Sequence, residues 1–160
     1  MSGTGKSSVI EELRSRGFAA IDTDYDDWCE PVILNGDSEC VWREDRMREL
    51  LTEPLTSPLF VSECRSNQKR FYAYFDIKVL FSAPLEVVLE RVAKRLSNPY
   101  GKSEAEKAEI CRNYEEVQPL LQNCADFEVD SSAVSVHAMA DFVAELALNN
   151  SRGEPTRRRR

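Results

Sequence analysis

The sequence predicts an α/β domain of three layers, a mostly parallel sheet with helices on both faces, and three observations point to it. A Gly-rich start, Ser2-Gly3-Thr4-Gly5-Lys6-Ser7-Ser8, runs at once into helical periodicity, with Val9, Ile10 and Leu13 on one face. Short apolar runs of strand length then alternate with helical stretches along the chain. Polar residues gather directly after those runs, on the strand edge where open α/β sheets bind ligands.

Composition sets the limits. At 160 residues and 18.2 kDa the chain makes one domain, burying about two-thirds of its unfolded surface. It is 42% hydrophobic and 31% charged, an ordinary soluble globular balance. No apolar run reaches the roughly 20 residues of a membrane span and no signal-peptide pattern opens the chain, so a cytoplasmic location is expected. Cys29, Cys40, Cys64, Cys111 and Cys124 are an odd count without C-x-x-C spacing, which indicates neither a disulfide framework nor a zinc site. A net charge of −7 argues against general nucleic-acid binding. The exception is the polar tail over 149–160, ending in Arg157 to Arg160, read as a disordered basic terminus with RNA, lipid or acidic-partner contact as the alternative.

The first eight residues match the end of a phosphate-binding loop, G-x-x-x-x-G-K-S/T. Gly residues let successive backbone N–H groups converge on phosphate oxygens, and the helix behind adds its unsatisfied N–H groups and positive dipole end. Lys6 is placed to reach β/γ-phosphates and Ser7 to put its hydroxyl on Mg²⁺. The first glycine of the pattern falls one position before Met1, and the strand that delivers such a loop is not in the sequence. The chain therefore reads either as truncated at its start or as a remnant, and a flexible Gly/Ser terminus is the competing view.

The elements follow in order. Helix one is expected from about Lys6 to Arg16, stopped by Gly17, and Phe18 to Ile21 is a buried strand. It leads into Asp22-Thr23-Asp24, where Asp22 or Asp24 can hold Mg²⁺ or accept a proton from an attacking hydroxyl; a solvated acidic turn is the alternative. Cys29 to Cys40, with Pro31, Asn35 and Gly36, reads as an irregular loop. A helix from about Trp42 to Leu51 carries Arg43, Arg46 and Arg48, suited to an anionic acceptor or simply paired on an exposed face.

Pro58 to Ser62 is the next strand, followed by the polar run Glu63 to Gln68 and a short aromatic helix over Lys69 to Phe75. Ile77 to Ser82 is the clearest strand, and Pro84 opens a helix over Leu85 to Leu96. A basic, turn-rich segment then reaches Ser103, which begins a capping box with Glu106 and a helix to about Val117. Residues 91–103 thus read as a lid that closes over polyphosphate, or as solvated basic positions on a helix end. Phe127 to Asp130 is a last strand, Ser131 and Ser132 turn the chain, and Val134 to Leu148 is a closing helix in which His137 is structural.

The pieces M-S-G-T-G-K-S-S, I-D-T-D-Y, V-W-R-E-D-R-M, F-V-S-E-C-R-S-N-Q, F-S-A-P-L, N-P-Y-G-K-S and E-V-D-S-S, in this order, resemble the small P-loop kinases of the shikimate-kinase and nucleoside-monophosphate-kinase group. They are similar also to bacterial proteins labelled AAA-family ATPase or broad-specificity nucleoside-monophosphate kinase. The resemblance covers residues 1–148 and implies a P-loop NTPase fold whose first strand this chain lacks. It implies that Gly3, Thr4, Gly5, Lys6, Ser7 and Ser8 cradle ATP and that Asp130, Ser131 and Ser132 lie against adenine. Ser7 and Asp22 would serve Mg²⁺, and Lys6, Asp24, Arg91 and Arg95 would be catalytic, the two arginines from the lid. Asp24, Arg43, Asn67 and Gln68 would bind the acceptor. Where shikimate kinases carry a glycine run this chain has Glu63-Cys64-Arg65, so the resemblance leaves the acceptor open between a nucleoside monophosphate and a shikimate-like alcohol. The implied activity is ATP-dependent phosphoryl transfer to a small molecule by a monomer or weak homodimer, without membrane or specific nucleic-acid partners. A non-catalytic or degenerate ATP-binding domain is the alternative.

Overall fold

A computed structural model describes residues 2–34, 36–62, 64–95 and 98–151. The tail over 152–160, including Arg157 to Arg160, and Glu63 lie outside the described residues.

Helix α1 (Lys6–Ser15) buries Val9, Ile10 and Leu13 and ends at Gly17, whose φ of +87° provides the left-handed turn a helix end needs. The Phe18 N–H returns to the Leu13 carbonyl and Arg14 Nε donates to the Ala20 carbonyl at 2.7 Å. These bonds fold strand β1 (Ala19–Asp22) back along α1. The helix N-terminus therefore lies toward the carboxyl end of β1.

β1 pairs in parallel with β4 (Leu59–Ser62), Ala20 opposite Phe60 and Asp22 opposite Ser62. β5 (Val79–Ser82) pairs in parallel with β6 (Phe127–Asp130), Phe81 opposite Val129. Both pairs lie under one apolar layer: α1 and α6 (Val136–Ser151) pack Val9, Ile10, Leu13, Met139 and Val143 against Ala20 and Phe60 of one pair and Val79, Phe81 and Val129 of the other. On the opposite face Ile21 and Val61 meet a second cluster, Trp28, Trp42, Met47 and Phe71. Alternation along each strand sends neighbouring residues to opposite faces, which is how two clusters form on one pair of strands. An α/β architecture with a small, mostly parallel sheet system results.

Several sequence expectations are corrected. The irregular loop expected over Cys29 to Cys40 is instead part of an antiparallel hairpin, β2 (Cys29–Leu34) against β3 (Asp37–Trp42), with Pro31 opposite Cys40. Gly36, at φ +93°, provides the positive φ its tight connection requires. Helix α2 (Glu44–Thr52) starts two residues later than expected, because Trp42 ends β3 and Arg43 is extended at the cap. The aromatic segment is a 3₁₀ helix, Gln68–Tyr74. After α3 (Leu85–Lys94) and α4 (Glu104–Glu116) a further helix, α5 (Gln118–Cys124), takes up Pro119 in its first turn rather than breaking there. The Ser103–Glu106 capping box is present in both directions. His137 sits on the surface between α6 and α1, its Nδ1 2.9 Å from the Glu12 carboxylate.

Candidate functional site

Asp22, Ser62 and Asp130 stand at the carboxyl ends of β1, β4 and β6. Gly5 is the α1 N-cap at φ +84°, a residue with no side chain to cap the helix, and the first turn holds no acidic residue. The positive end of the helix dipole at such a start favours an anion. Gly3, at φ +74°, passes so close to α3 that a Cβ there would stand 2.9 Å from the Val88 carbonyl oxygen. Thr4 is buried, 1% exposed. Ser7 and Ser8 lie exposed in the first turn of α1, and Lys6, beside them, lines a groove together with Ser62.

At the end of β1, Asp22 is 3% exposed and turns Oδ1 to the Asp24 N–H at 3.2 Å. Its Oδ2 and the Oγ of Ser62, its partner across the strands, are both buried without a hydrogen bond among the described residues. Orphaned oxygens on two paired residues at a strand end cost free energy unless something binds them. No group of three or more His, Cys, Asp or Glu among the described residues is arranged to hold a metal ion by itself. One carboxylate and hydroxyls is the donor set of Mg²⁺, which takes one or two protein oxygens and fills its octahedron with phosphates and water. The residues present fit that ion.

Beyond Asp22 the chain turns through Asp26 and Asp27, both at φ 60°, a left-handed pair unusual outside glycine. Thr23 is locked by bonds from its N–H and hydroxyl to the Ser62 carbonyl, and its hydroxyl accepts from Trp42 Nε1 at 2.7 Å. Asp24 is ion-paired to Arg65, whose Nε also donates to Cys29 Sγ at 3.1 Å. That thiol is pushed up by burial, against the pull of the Arg65 guanidinium. Arg43 pairs with Asp27 at 3.0 Å and faces Glu30 at 3.8 Å, while Arg46 stacks 4.0 Å over Trp28 and donates to the Asp26 carbonyl. Asn67 clamps the Trp42 backbone, accepting from its N–H at 3.1 Å and donating to its carbonyl at 2.9 Å. Gln68 opens the 3₁₀ helix and lines a cavity on that side of the sheet. Arg65, Trp28 and Thr23 were not singled out by sequence; for Arg65 the signal was its place just past a buried strand.

Of the remaining sequence-expected residues, Arg91 touches the phosphate loop. Arg91 Nη1 donates to the Gly3 carbonyl at 3.3 Å and to Ser131 Oγ at 2.9 Å, and its Nη2 donates to the Ser131 carbonyl at 2.7 Å. Asp130 accepts from the Ser132 N–H and hydroxyl at 2.8 and 2.6 Å, which holds its carboxyl below the usual range. Arg95 donates to the Tyr100 carbonyl at 2.9 Å. Lys102 Nζ caps the end of α3 on the carbonyls of Val92, Ala93 and Arg95 at 2.6–2.8 Å. Tyr100 packs on the Val88, Val92 and Ile110 cluster, and burial, then the nearby Glu109, pushes its hydroxyl up to about 12.

A family model described as an AAA domain matches residues 1–112. No curated protein and no solved structure gives a significant match to the chain. With the matched segment spanning well over half of the sequence, the chain belongs to this AAA-domain family of P-loop NTPase type.

Proposed function

We propose that the protein is an ATP-dependent phosphotransferase that moves the γ-phosphoryl group to a small-molecule acceptor, a nucleoside monophosphate or a shikimate-like alcohol. The observation that supports it best is the glycine-started N-terminus of α1 together with two buried oxygens at the strand ends, on Asp22 and Ser62, that have no partner among the described residues. Family membership supports nucleotide binding at the coarser level.

In this reading Gly3, Thr4, Gly5, Lys6, Ser7 and Ser8 bind phosphates, and Asp130, Ser131 and Ser132 border the base. Ser7 and Asp22 would hold Mg²⁺, which supplies charge neutralisation between the phosphates when bound. Phosphoryl transfer asks for positioning and electrostatics more than covalent chemistry. Lys6 draws charge from the transferring group, and Asp24, steadied by Arg65, orients the acceptor hydroxyl and takes its proton. Arg43, Asn67 and Gln68 shape the acceptor side. Arg91 and Arg95 act from residues 91–103, the proposed lid of a domain over 1–148, in a cytoplasmic monomer or weak homodimer. No helix among the described residues is long and apolar enough to cross a membrane.

A second reading, a nucleotide-binding domain without catalysis, is favoured by the open groove between the two parallel strand pairs. Acceptor-dependent ATP consumption over a panel of nucleoside monophosphates and small hydroxy acids separates the two. The kinase reading expects one acceptor class to be turned over, and Asp24→Asn to slow it about 100-fold with ATP affinity unchanged. ATP binding with no acceptor turned over would overturn it.

A further inference from the structure

The hairpin of β2 and β3 brings together two thiols that the proposed reaction does not use. The Arg43 N–H donates to the Trp28 carbonyl at 2.9 Å, which makes Cys29 and Trp42, directly opposite one another, a pair with no hydrogen bond between them. Pro31 and Cys40, two residues further along each strand, are therefore a pair of the same kind, a position where the missing N–H of a proline costs the ladder nothing. Facing side chains come closest at such pairs, and all four residues share one face of the hairpin. Cys29 and Cys40 stand on the diagonal of that face. The right-handed twist of a two-stranded ribbon closes one diagonal of such a site, and here the Cys40 thiol reaches that of Cys29 as a hydrogen-bonding partner.

The two thiols differ in their surroundings. Cys40 is exposed, whereas Cys29 is half-buried, its Sγ donating to the Thr23 carbonyl at 3.3 Å and accepting from Arg65 Nε at 3.1 Å. The same guanidinium is ion-paired to Asp24. The Cys29 sulfur thus sits between a solvent-facing thiol and the arginine that holds the Asp24 carboxylate. The other cysteines are placed elsewhere, Cys64 and Cys124 beside Tyr72 and Cys111 in α4.

We propose that Cys29 and Cys40 are a reversible dithiol–disulfide site, and that closing the bridge takes the Cys29 sulfur away from Thr23 and Arg65. The oxidant is a low-molecular-weight disulfide. The exposed Cys40 thiolate attacks one sulfur of that molecule, forming a mixed disulfide and expelling a first thiolate; the Cys29 thiolate then attacks the Cys40 sulfur, closing the internal bond and expelling the second. Two electrons pass from the protein to the oxidant, which leaves as two thiols carrying the protons of Cys29 and Cys40. A diagonal pair lies near the limit of disulfide reach, so the strands draw slightly together to close the bond. Such a bridge is readily reduced, which suits a switch better than a staple. Once bridged, the Cys29 sulfur has no S–H for the Thr23 carbonyl, and Arg65 loses an anchor. This last step rests on the kinase reading of Asp24 for its consequence: the arginine that steadies the acceptor-orienting carboxylate is loosened, and turnover falls.

The test incubates the full folded chain with glutathione disulfide, alkylates the remaining thiols and maps peptides without reduction, beside Cys29→Ser and Cys40→Ser. Two of the five thiols should be lost, a peptide linking Cys29 to Cys40 should appear and vanish on reduction, and Cys29→Ser should instead retain glutathione on Cys40. Glutathione that stays on Cys40 of the parent without a bond to Cys29, a bridge made with Cys64, Cys111 or Cys124, or Cys40-to-Cys40 dimers in place of the internal bond would overturn the proposal. With an acceptor that is turned over, the bridged parent should be at least about fivefold slower than the reduced one, and Cys40→Ser treated alike should not change. A bridge that leaves turnover unchanged would overturn the link through Arg65. Peptide mapping needs no turnover, so a bridge that forms in a chain with no phosphotransferase activity counts against the kinase reading and supports the thiol site.

Discussion

Arg91 on α3 and Ser131 after β6 form a two-point clamp, the guanidinium reaching the hydroxyl at 2.9 Å and the carbonyl at 2.7 Å while also holding the Gly3 carbonyl. Ser131 is 1% exposed, so the bonds are shielded from water. A planar fork suits such a three-acceptor arrangement and a lysine does not. Removing it in Arg91→Met should cost about 2 kcal/mol, since hydrogen bonds from charged groups contribute about 1.5–3 kcal/mol. In a protein of this size the melting temperature should fall by about 4–8 °C. Arg91→Lys should recover less than half of that, as read by thermal denaturation.

Gly101 should be far less replaceable than Gly36. Both have positive φ, +90° and +93°. A Cβ on Gly101 would stand 2.1 Å from Val92 Cγ1 and 2.9 Å from Ile110 Cδ1, whereas nothing lies within 4 Å at Gly36. Gly36→Ala carries the left-handed cost alone, about 1–2 kcal/mol. Gly101→Ala adds overpacking of the α3–α4 core, about 1–3 kcal/mol more. Urea unfolding of the two variants checks the order.

The capping box gives a pH signature. Glu106 accepts from the backbone N–H groups of Ser103 and Gly101 at 3.0 and 3.1 Å and from the Ser103 hydroxyl at 2.9 Å, and these bonds lower its pKa from the ordinary 4.5. A carboxyl lowered on folding contributes stability above its unfolded value and loses it as pH falls through the folded one. Glu106→Gln should therefore be less stable than the parent at pH 7, with the gap closing below 4.5. A gap that stays constant into acid would show that the carboxylate does not carry the cap.

Much of this fold could be read from the sequence where the pattern is local. The capping box at Ser103, the end of α1 at Gly17 and the four strands of the parallel pairs all announce themselves within a few residues. The hairpin of β2 and β3 did not, because Pro31 reads as a breaker although an edge strand tolerates it, and Asn35-Gly36 lacks clean alternation around it. Helix α5 was hidden by Pro119, which ends helices and also begins them. At the site, residue types were legible but partners were not. Ser131 lies 40 residues from Arg91 and Asp24 lies 41 from Arg65, and no periodicity specifies a contact made by the closing of the whole fold.

Asp22 should decide the ion requirement. Its Oδ2 is buried without a partner among the described residues, so Asp22→Asn keeps the shape and the Oδ1 bond to Asp24 while removing the charge. ATP binding to the variant should lose most of its Mg²⁺ dependence, and relief of the buried carboxylate should leave its melting temperature unchanged or higher. A Mg²⁺ dependence equal to the parent's would place the ion elsewhere.

The most direct test of the central claim is calorimetry of ATP and Mg²⁺ binding to the chain and to Lys6→Ala, on preparations shown by circular dichroism to be folded. The account predicts binding that Lys6→Ala weakens tenfold or more, about 1.4 kcal/mol. A folded chain that binds no ATP, or one that Lys6→Ala leaves unaffected, would contradict it.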